Sequence, residues 1–269
     1  MDGRPRVVVR GGGELATGGA RLLFLSGFPV AVLERPAPLA VRRLVSFAQA
    51  VFAGEAEVEG VRGRLVDAQG LEPALAARAF VPVLVDPEGA SLVASRVAVI
   101  VDARMAKRNL GSTREQAPLV VGLGPGFTAG LDVHAVVETQ RGPALGRVYW
   151  RGKAEKDTME PAAVRGETER RVLRAPCAGT FAGRRRIGDV VGPGAVIGEV
   201  GGDPVCAQVP GMVRGLLADG VRVGPGEKVG DIEPRGADVD PARVSDKARA
   251  VAAGVLEAVL IGCGSSGST

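Results

Sequence analysis

Aromatic residues, histidine and cysteine are scarce in this chain of 269 residues. Aromatic side chains make up 3% of the sequence, which contains one histidine and three cysteines. A net charge of only +4 and so few aromatic residues give no basis for a nucleic-acid-binding surface. The cysteines are odd in number and far apart, without a C-x-x-C pair, so we predict no disulfide framework and no metal site.

Long apolar runs are also missing. None approaches the roughly 18 residues that a membrane-spanning helix needs, and no charged and then apolar leader follows Met1. We therefore expect a cytoplasmic protein without membrane contact. Glycine (40 residues) and proline (18 residues) are abundant and lie between short apolar runs, as turns do. The sequence is typical of a folded, turn-rich protein with a core of Val, Leu and Ala.

The first 34 residues predict a strand, a glycine turn, a helix and a second strand. The apolar run 7–9 is typical of a strand buried on both faces. Gly11, Gly13 and Ala16 then fit the pattern G-x-G-x-x-A, in which glycines let a phosphate approach the backbone. Glu34 ends the second strand, where dinucleotide-binding folds place the acid that binds a ribose hydroxyl. A tight turn without any ligand is the alternative.

Two later apolar runs are each followed by candidate site residues. Polar side chains follow the first of these runs, and a second glycine-rich loop follows the other. Asp102, Arg104 and Lys107 come directly after the first run, at the end of a predicted strand. Because ligands of open parallel sheets bind at the carboxyl ends of strands, these residues are candidates for lining a ligand site. An ordinary salt-bridged loop is the alternative. The loop contains Gly124 and Gly126, which let backbone N–H groups converge on an anion or let the chain turn sharply.

The single histidine is the candidate for acid–base chemistry. His134 lies in a strand predicted over 132–139, and Glu138 lies on the same face because strand side chains alternate. A histidine and a carboxylate on one face suit general acid–base catalysis. The alternative is a structural, hydrogen-bonded histidine, so the catalytic residues stay unassigned.

The second part of the chain contains an internal repeat. Residues 188–200 match residues 220–232, and both copies contain Gly-Pro-Gly. Two copies of a short β unit are expected to pair into one small sandwich. This pattern resembles the biotinyl or lipoyl barrel-sandwich domain, but the turn 201–206 lacks the lysine that those domains modify. We therefore expect no covalent biotin or lipoate.

These patterns together predict an α/β fold with a second, all-β unit. An apolar stripe at helical spacing ends the ordered part of the chain, and we expect it to pack on the first domain. The predicted parts are a Rossmann-like doubly wound domain (1–150), a charged linker (151–171), a small barrel-sandwich domain (172–235), a C-terminal helix (243–261) and a flexible tail (262–269).

Several longer strings carry a family resemblance. They are residues 10–18 (RGGGELATG), 101–109 (VDARMAKRN), 122–127 (GLGPGF), 132–139 (DVHAVVET) and 245–248 (SDKA). Together they resemble the selenium-dependent molybdenum hydroxylase system proteins, the YqeB-type accessory family. The resemblance implies an accessory protein that binds molybdenum cofactor, a pterin, or its dinucleotide form, while a client hydroxylase is matured.

The resemblance makes Gly11, Gly13, Gly124 and Gly126 the preferred candidates for contact with an anionic small molecule. It carries no catalytic residue, so whether the chain is an enzyme stays open. The alternatives are an NAD(P)-dependent oxidoreductase, with His134 as the acid–base residue, and a non-catalytic scaffold. Assembly into a homo-oligomer and transport of sulfur or selenium also stay open.

Overall fold

A computed structural model describes residues 4–91, 97–156 and 163–264. Its largest sheet contains nine strands. These are β1 (Val7–Arg10), β2 (Val30–Glu34), β3 (Glu55–Val58), β4 (Val61–Val66), β5 (Val81–Val85), β6 (Val99–Asp102), β7 (Leu119–Leu123), β8 (Ala135–Val137) and β9 (Val148–Tyr149).

The large sheet is mixed. Its strand order is β3-β4-β5-β2-β1-β6-β7-β8-β9. The seven central strands from β4 to β8 pair in parallel, whereas β3 and β9 pair antiparallel with their neighbours at the two edges. All carboxyl ends of the parallel strands therefore meet at one edge of the sheet.

The α-helices whose bounds lie within the described residues are α1 (Glu14–Leu25), α2 (Ala50–Ala53), α3 (Ala68–Ala77) and α4 (Asp246–Gly264). Helix α1 is followed by Gly27, whose φ of +88° ends the helical path. Helix α3 begins at Asp67, whose side chain accepts a hydrogen bond from Gly70 N at 2.8 Å. None of the helices in the described part of the chain has an apolar stretch of the length that crossing a bilayer requires.

Strand side chains alternate between two cores, which explains the continuous valine runs. Val7 and Val9 pack in the core under α1 and α4, while Val8 packs with Leu71 and Leu75 on the α3 face. Helices α1 and α4 approach closely at Gly18. A Cβ atom there would lie 2.9 Å from the carbonyl oxygen of Ala248, so the helix contact requires glycine.

The second unit consists of two four-stranded antiparallel sheets, β10-β17-β15-β12 and β14-β13-β11-β16. Each copy of the repeat contributes one strand to each sheet, since 188–200 contains β12 and β13 and 220–232 contains β16 and β17. The strands are β10 (Val172–Arg174), β11 (Gly179–Gly183), β12 (Val190–Val191), β13 (Val196–Val200), β14 (Asp203–Cys206), β15 (Gly211–Leu216), β16 (Arg222–Val223) and β17 (Lys228–Glu233).

The predicted fold class, a Rossmann-like doubly wound domain followed by a barrel-sandwich domain, is wrong. The large sheet is mixed, and no α-helix lies in the connections from β6 to β7 and from β7 to β8, both of which the structure describes. Helix α4, from the other end of the chain, packs against β7 and β8 instead. The second unit also shares its core with the first part of the chain, because Val41 packs into it and Val41 O accepts a hydrogen bond from Leu216 N at 2.8 Å.

Two predicted segments extend beyond the described residues. Residues 157–162 of the predicted linker and 265–269 of the predicted tail lie outside them. Helix α4 continues to Gly264, whereas the apolar stripe predicted its end at 261. The helix continues because its contacts with the core do, since Cys263 packs against that core and Gly262 lies against the Leu119 side chain.

Candidate functional site

The carboxyl edge of the large sheet collects most of the predicted site residues. Arg10 at the end of β1 pairs in register with Leu33 of β2 and with Asp102 of β6, and Asp102 pairs with Gly122 of β7. The first glycine turn, Gly11 to Gly13, begins directly after Arg10. In open parallel sheets this edge is the usual place for a ligand.

The three glycines of the first turn have different surroundings. A Cβ atom at Gly11, where φ is +97°, would lie 3.1 Å from the carbonyl oxygen of Ala103. At Gly12 it would lie 2.8 Å from Ala48 N. At Gly13, the N-cap of α1, no described residue other than its neighbours along the chain comes within 4 Å of that position. Gly13 therefore leaves space at a helix N-terminus, where backbone N–H groups favour an anion.

Glu34 binds the glycine turn itself. Its carboxylate accepts hydrogen bonds from Gly12 N and from Arg35 N, each at 2.7 Å. Burial raises the pKa of Glu34, against the lowering effect of these two hydrogen bonds. Ala16, the third position of the predicted fingerprint, is buried in the core under α1. Glu34 thus stabilises the glycine turn by hydrogen bonds, and Ala16 stabilises it by packing in the core.

Asp102 is the centre of a buried polar cluster. Its carboxylate accepts hydrogen bonds from Arg104 Nε at 3.0 Å, Arg104 Nη2 at 2.6 Å and Ser112 Oγ at 2.6 Å. Burial alone would raise the pKa of Asp102, but these hydrogen bonds and the Arg104 charge hold that pKa below its usual value. The predicted candidates Asp102 and Arg104 are therefore brought together, as partners of each other.

Arg10 is a site residue that the sequence reasoning missed. The residue is 5% exposed, and its guanidinium donates two long hydrogen bonds, to Ser112 Oγ at 3.4 Å and to Pro87 O at 3.5 Å. Burial and the nearby Arg104 charge lower the pKa of Arg10. A cation that directly follows three valines of a buried strand was the signal available in the sequence.

The second glycine loop packs against the segment that follows Asp102. A Cβ atom at Gly126, where φ is +108°, would lie 2.6 Å from Arg108 N, and one at Gly124 would contact the Thr139 side chain. We call residues 103–108 the crossing segment, since Gly11 contacts one end of it and Gly126 the other. Lys107 lies in this segment.

The crossing segment has strained backbone. Met105 and Lys107 adopt φ angles of +55° and +61°, a conformation that side chains other than glycine rarely take. Such strain persists only where surrounding contacts determine the conformation, and it is concentrated at functional sites. The segment is therefore held in place by the two glycine turns that it contacts.

His134 and Glu138 do not form the predicted acid–base pair in this structure. They lie just before and just after β8, and no hydrogen bond joins the two side chains within the described ranges. His134 Nδ1 accepts a hydrogen bond from Val120 N at 3.0 Å. Glu138 is fully buried and accepts three backbone hydrogen bonds, each at 2.7 Å. Both side chains hold loops in place.

Arg42 and the C-terminal segment lie beside the first turn of α1. Arg42 Nη1 lies 3.3 Å from Glu14 Oε2, and Arg42 Nη2 donates to the carbonyl oxygen of Arg243 at 3.3 Å. Glu14 Oε1 also accepts a hydrogen bond from Ser245 N at 2.9 Å. The carboxylate in the first turn of α1 is therefore compensated, which reduces its repulsion of an anion at Gly13.

Metal ligands and thiols contribute nothing to this edge. In the parts of the chain that the structure describes, no three His, Cys, Asp or Glu side chains come together as a metal site. Cys177, Cys206 and Cys263 are free thiols. Cys177 lies in the second unit, where its Sγ is 3.1 Å from Val200 O.

Comparison with solved structures gives distant similarities only. An aspartoacylase-family protein from Mesorhizobium loti matches with a TM-score of 0.26 and 12% identity, over 86% of this chain and 85% of that chain. A succinylglutamate desuccinylase/aspartoacylase from Rhodobacter sphaeroides matches with a TM-score of 0.27 and 15% identity, over 85% of each chain. The names of these two proteins refer neither to a Rossmann domain nor to a biotinyl-like domain. The corrected fold class rests on the strand order, because TM-scores this low support no argument about fold or activity.

Comparison with known sequences gives one close similarity. No protein-family model matches the chain. The uncharacterized protein YqeB of Escherichia coli (strain K12) is 48% identical over 260 residues, which are 97% of this chain and 48% of YqeB. The chain thus spans about half the length of this relative, whose name mentions neither molybdenum nor selenium. The similarity supports the relationship to the YqeB-type family that the sequence strings indicated.

Proposed function

We propose that this chain is an accessory protein that holds molybdenum cofactor, or its dinucleotide form, while a molybdenum hydroxylase is matured. The observation that carries the proposal is the open space at Gly13, at the α1 N-terminus and on the carboxyl edge of the sheet. A phosphate group of the cofactor would bind there. Backbone N–H groups and the helix dipole both favour a negative charge at that position.

The charges around this edge agree with an anionic ligand. Arg10 is a buried cation, and both hydrogen bonds of its guanidinium to described residues are long. Lys107 is an exposed residue of the crossing segment. Glu14, the acid nearest to the open glycine, is compensated by Arg42. The pairing of Glu14 with Arg42 therefore reduces the repulsion that a phosphate at Gly13 would meet.

The hydroxylase client and the pterin rest on the family resemblance of the sequence strings. A molybdenum cofactor contains at least one phosphate, which is the group that the open helix terminus suits. This chain spans about half of the longer relative. What the whole relative does is therefore also part of the proposal. The client protein and the pterin are therefore what the experiment must identify.

We propose binding rather than hydride transfer because the candidate acid–base residues are engaged elsewhere. His134 and Glu138 accept backbone hydrogen bonds and face different partners. The oxidoreductase alternative requires a proton-transfer group beside the ligand. We therefore expect the ligand to be bound without chemical change.

The test is ligand retention by Gly13→Asp and a matched control. Protein is purified from cells that make molybdenum cofactor, and bound pterin is measured by native mass spectrometry and by fluorescence after oxidation. Asp at position 13 places a carboxylate where the phosphate would bind, so we expect retained pterin to fall about tenfold or more. Folding is expected to be preserved, because Asp is a favoured N-cap residue.

Gly192→Asp is the control, because Gly192 also has no atom within 4 Å of its Cβ position but lies in the second unit. This variant should retain as much pterin as the unsubstituted protein. The proposal fails if the unsubstituted protein retains no pterin, or if Gly13→Asp retains as much as the control. Retention of an adenine dinucleotide in place of pterin would instead favour the oxidoreductase alternative.

A further inference from the structure

A cleft of about 340 Å³ lies between α1 and α4, beside the turn that joins β3 and β4. Gly18, Arg21 and Leu22 line it from α1, Glu59 from the turn, and Val244, Arg249 and Ala252 from the C-terminal segment and α4. None of these residues belongs to the carboxyl-edge site. Volumes of this order are at the small end of small-molecule sites.

Two of the three charged residues in the cleft compensate each other. Arg21 Nη2 lies 3.4 Å from Glu59 Oε2, and Arg21 also donates to the carbonyl oxygen of Glu59 from Nε at 3.3 Å and from Nη2 at 3.0 Å. The other carboxylate oxygen of Glu59 accepts a hydrogen bond from Val244 N at 3.0 Å. Glu59 is thus committed to the walls of the cleft.

Arg249 supplies an uncompensated positive charge. Among residues 4–91, 97–156 and 163–264, no carboxylate forms an ion pair with its side chain, and only its backbone N–H donates a hydrogen bond, to Ser245 O at 2.9 Å. Arg249 and Ala252 are three residues apart in α4, so they lie on the same face of the helix. That face forms one wall of the cleft.

The backbone of the turn between β3 and β4, at Glu59 and Gly60, is strained. Glu59 and Gly60 adopt φ angles of +44° and +80°, and glutamate is disfavoured at a positive φ, where glycine or asparagine would serve. The bonds from Arg21 and Val244 hold the side chain in this strained turn. Strain of this kind persists where contacts determine the geometry, and it is a pointer to function.

The remaining lining is apolar. Leu22, Val244 and Ala252 present aliphatic surface between the two arginines. We infer that this cleft binds a small organic monocarboxylate, whose carboxylate pairs with Arg249 and whose apolar body packs on Leu22, Val244 and Ala252. Arginine presents paired N–H groups that match a carboxylate, and charge-assisted hydrogen bonds of this type are among the strongest in proteins.

The test is a titration of the protein with benzoate and, separately, with benzamide, which is neutral and of similar shape. Binding is measured by ligand-observed NMR and by calorimetry. We expect benzoate to bind and benzamide to bind at least about tenfold more weakly, because only benzoate forms the charge-assisted pair. Arg249→Gln should weaken benzoate binding by a similar factor. Arg243→Gln is the matched control, since the Arg243 side chain is 81% exposed and does not line the cleft.

The inference is overturned if benzoate fails to bind the unsubstituted protein, or if Arg249→Gln binds it as tightly as Arg243→Gln does. Equal binding of benzamide would also overturn it. Gly13→Asp should leave benzoate binding unchanged, so the two sites are tested independently. Loss of benzoate binding in Gly13→Asp would contradict a separate cleft site.

Discussion

The two glycine turns at the carboxyl edge are similar in sequence and different in use. In the first, Gly13 leaves open space at the N-terminus of α1. In the second, a Cβ atom at Gly126 would lie within 3 Å of the Arg108 backbone. Glycine is therefore required at Gly126 for close packing, whereas at Gly13 it leaves open space beside the helix. A glycine-rich string by itself does not distinguish the two uses.

The crossing segment connects the two turns. Gly11 contacts it at Ala103 and Arg104, and Gly126 contacts it at Arg108. Asp102, directly before this segment, and Ser112, beyond its other end, are joined by a hydrogen bond of 2.6 Å. The first turn is therefore supported by the second one through this segment, and substitutions can separate support from binding.

Asp102→Ala should give the largest effect. It leaves Arg104 and the buried Arg10 without their carboxylate, and removal of one partner of a buried ion pair costs about 3–5 kcal/mol of unfolding free energy. Urea unfolding followed by circular dichroism measures the loss. Asp246→Ala is the control, because its pair with Arg141 is exposed and such pairs contribute less than about 1 kcal/mol.

The same carboxylate predicts an acid dependence. The folded-state pKa of Asp102 lies below its usual value of 3.8, so its stabilisation is complete above that pH and is lost as the pH falls through the lower folded value. Asp102→Ala should remove this contribution to acid unfolding. An acid-unfolding curve of unchanged shape in the variant would contradict the assignment.

Gly126→Ala should cost about 3 kcal/mol, since alanine is strained at a φ of +108° and its Cβ would overlap the Arg108 backbone. Gly192→Ala, at an open position, should change the unfolding free energy by less than about 0.5 kcal/mol. Chemical denaturation of both variants measures the two free energies of unfolding. Equal stability of the two would mean that the second turn does not need glycine for packing.

Glu34→Ala should cost about 2 kcal/mol even without any ligand. The substitution leaves the N–H groups of Gly12 and Arg35 without their acceptor, and a buried donor that loses its partner costs about 1–3 kcal/mol. Thermal unfolding of ligand-free protein measures this effect, with exposed Glu57→Ala as the control. A loss that appears only in the presence of a dinucleotide would identify Glu34 as a ligand-binding residue instead.

The smallest effect concerns His134, which supports the strand next to the second turn. Burial and the nearby Arg114 charge lower the pKa of His134 below 6.5, and its unprotonated Nδ1 accepts the Val120 N–H. Stability should therefore fall as the pH decreases through 6.5 toward the lower folded-state pKa. Urea midpoints at about pH 5 and pH 8 should differ less in His134→Gln, and an unchanged difference would contradict this role.

The sequence by itself determined the local elements. The apolar run 7–9, the glycines and the apolar positions that follow them specify strand, turn and helix, because these patterns depend on neighbours along the chain. The repeat in the second unit likewise specified short strands with Gly-Pro-Gly turns. The long apolar stripe near the end specified helix α4 and one buried face.

Only the tertiary structure decided how these elements combine and which glycines are open or packed. The mixed edges of the sheet, and the covering of β7 and β8 by α4, arise from contacts between distant segments, which periodicity does not report. The same holds for His134 and Glu138, whose partners are backbone groups of other strands and loops. Whether a glycine is open, like Gly13, or packed, like Gly126, depends on which backbone lies beside it in space.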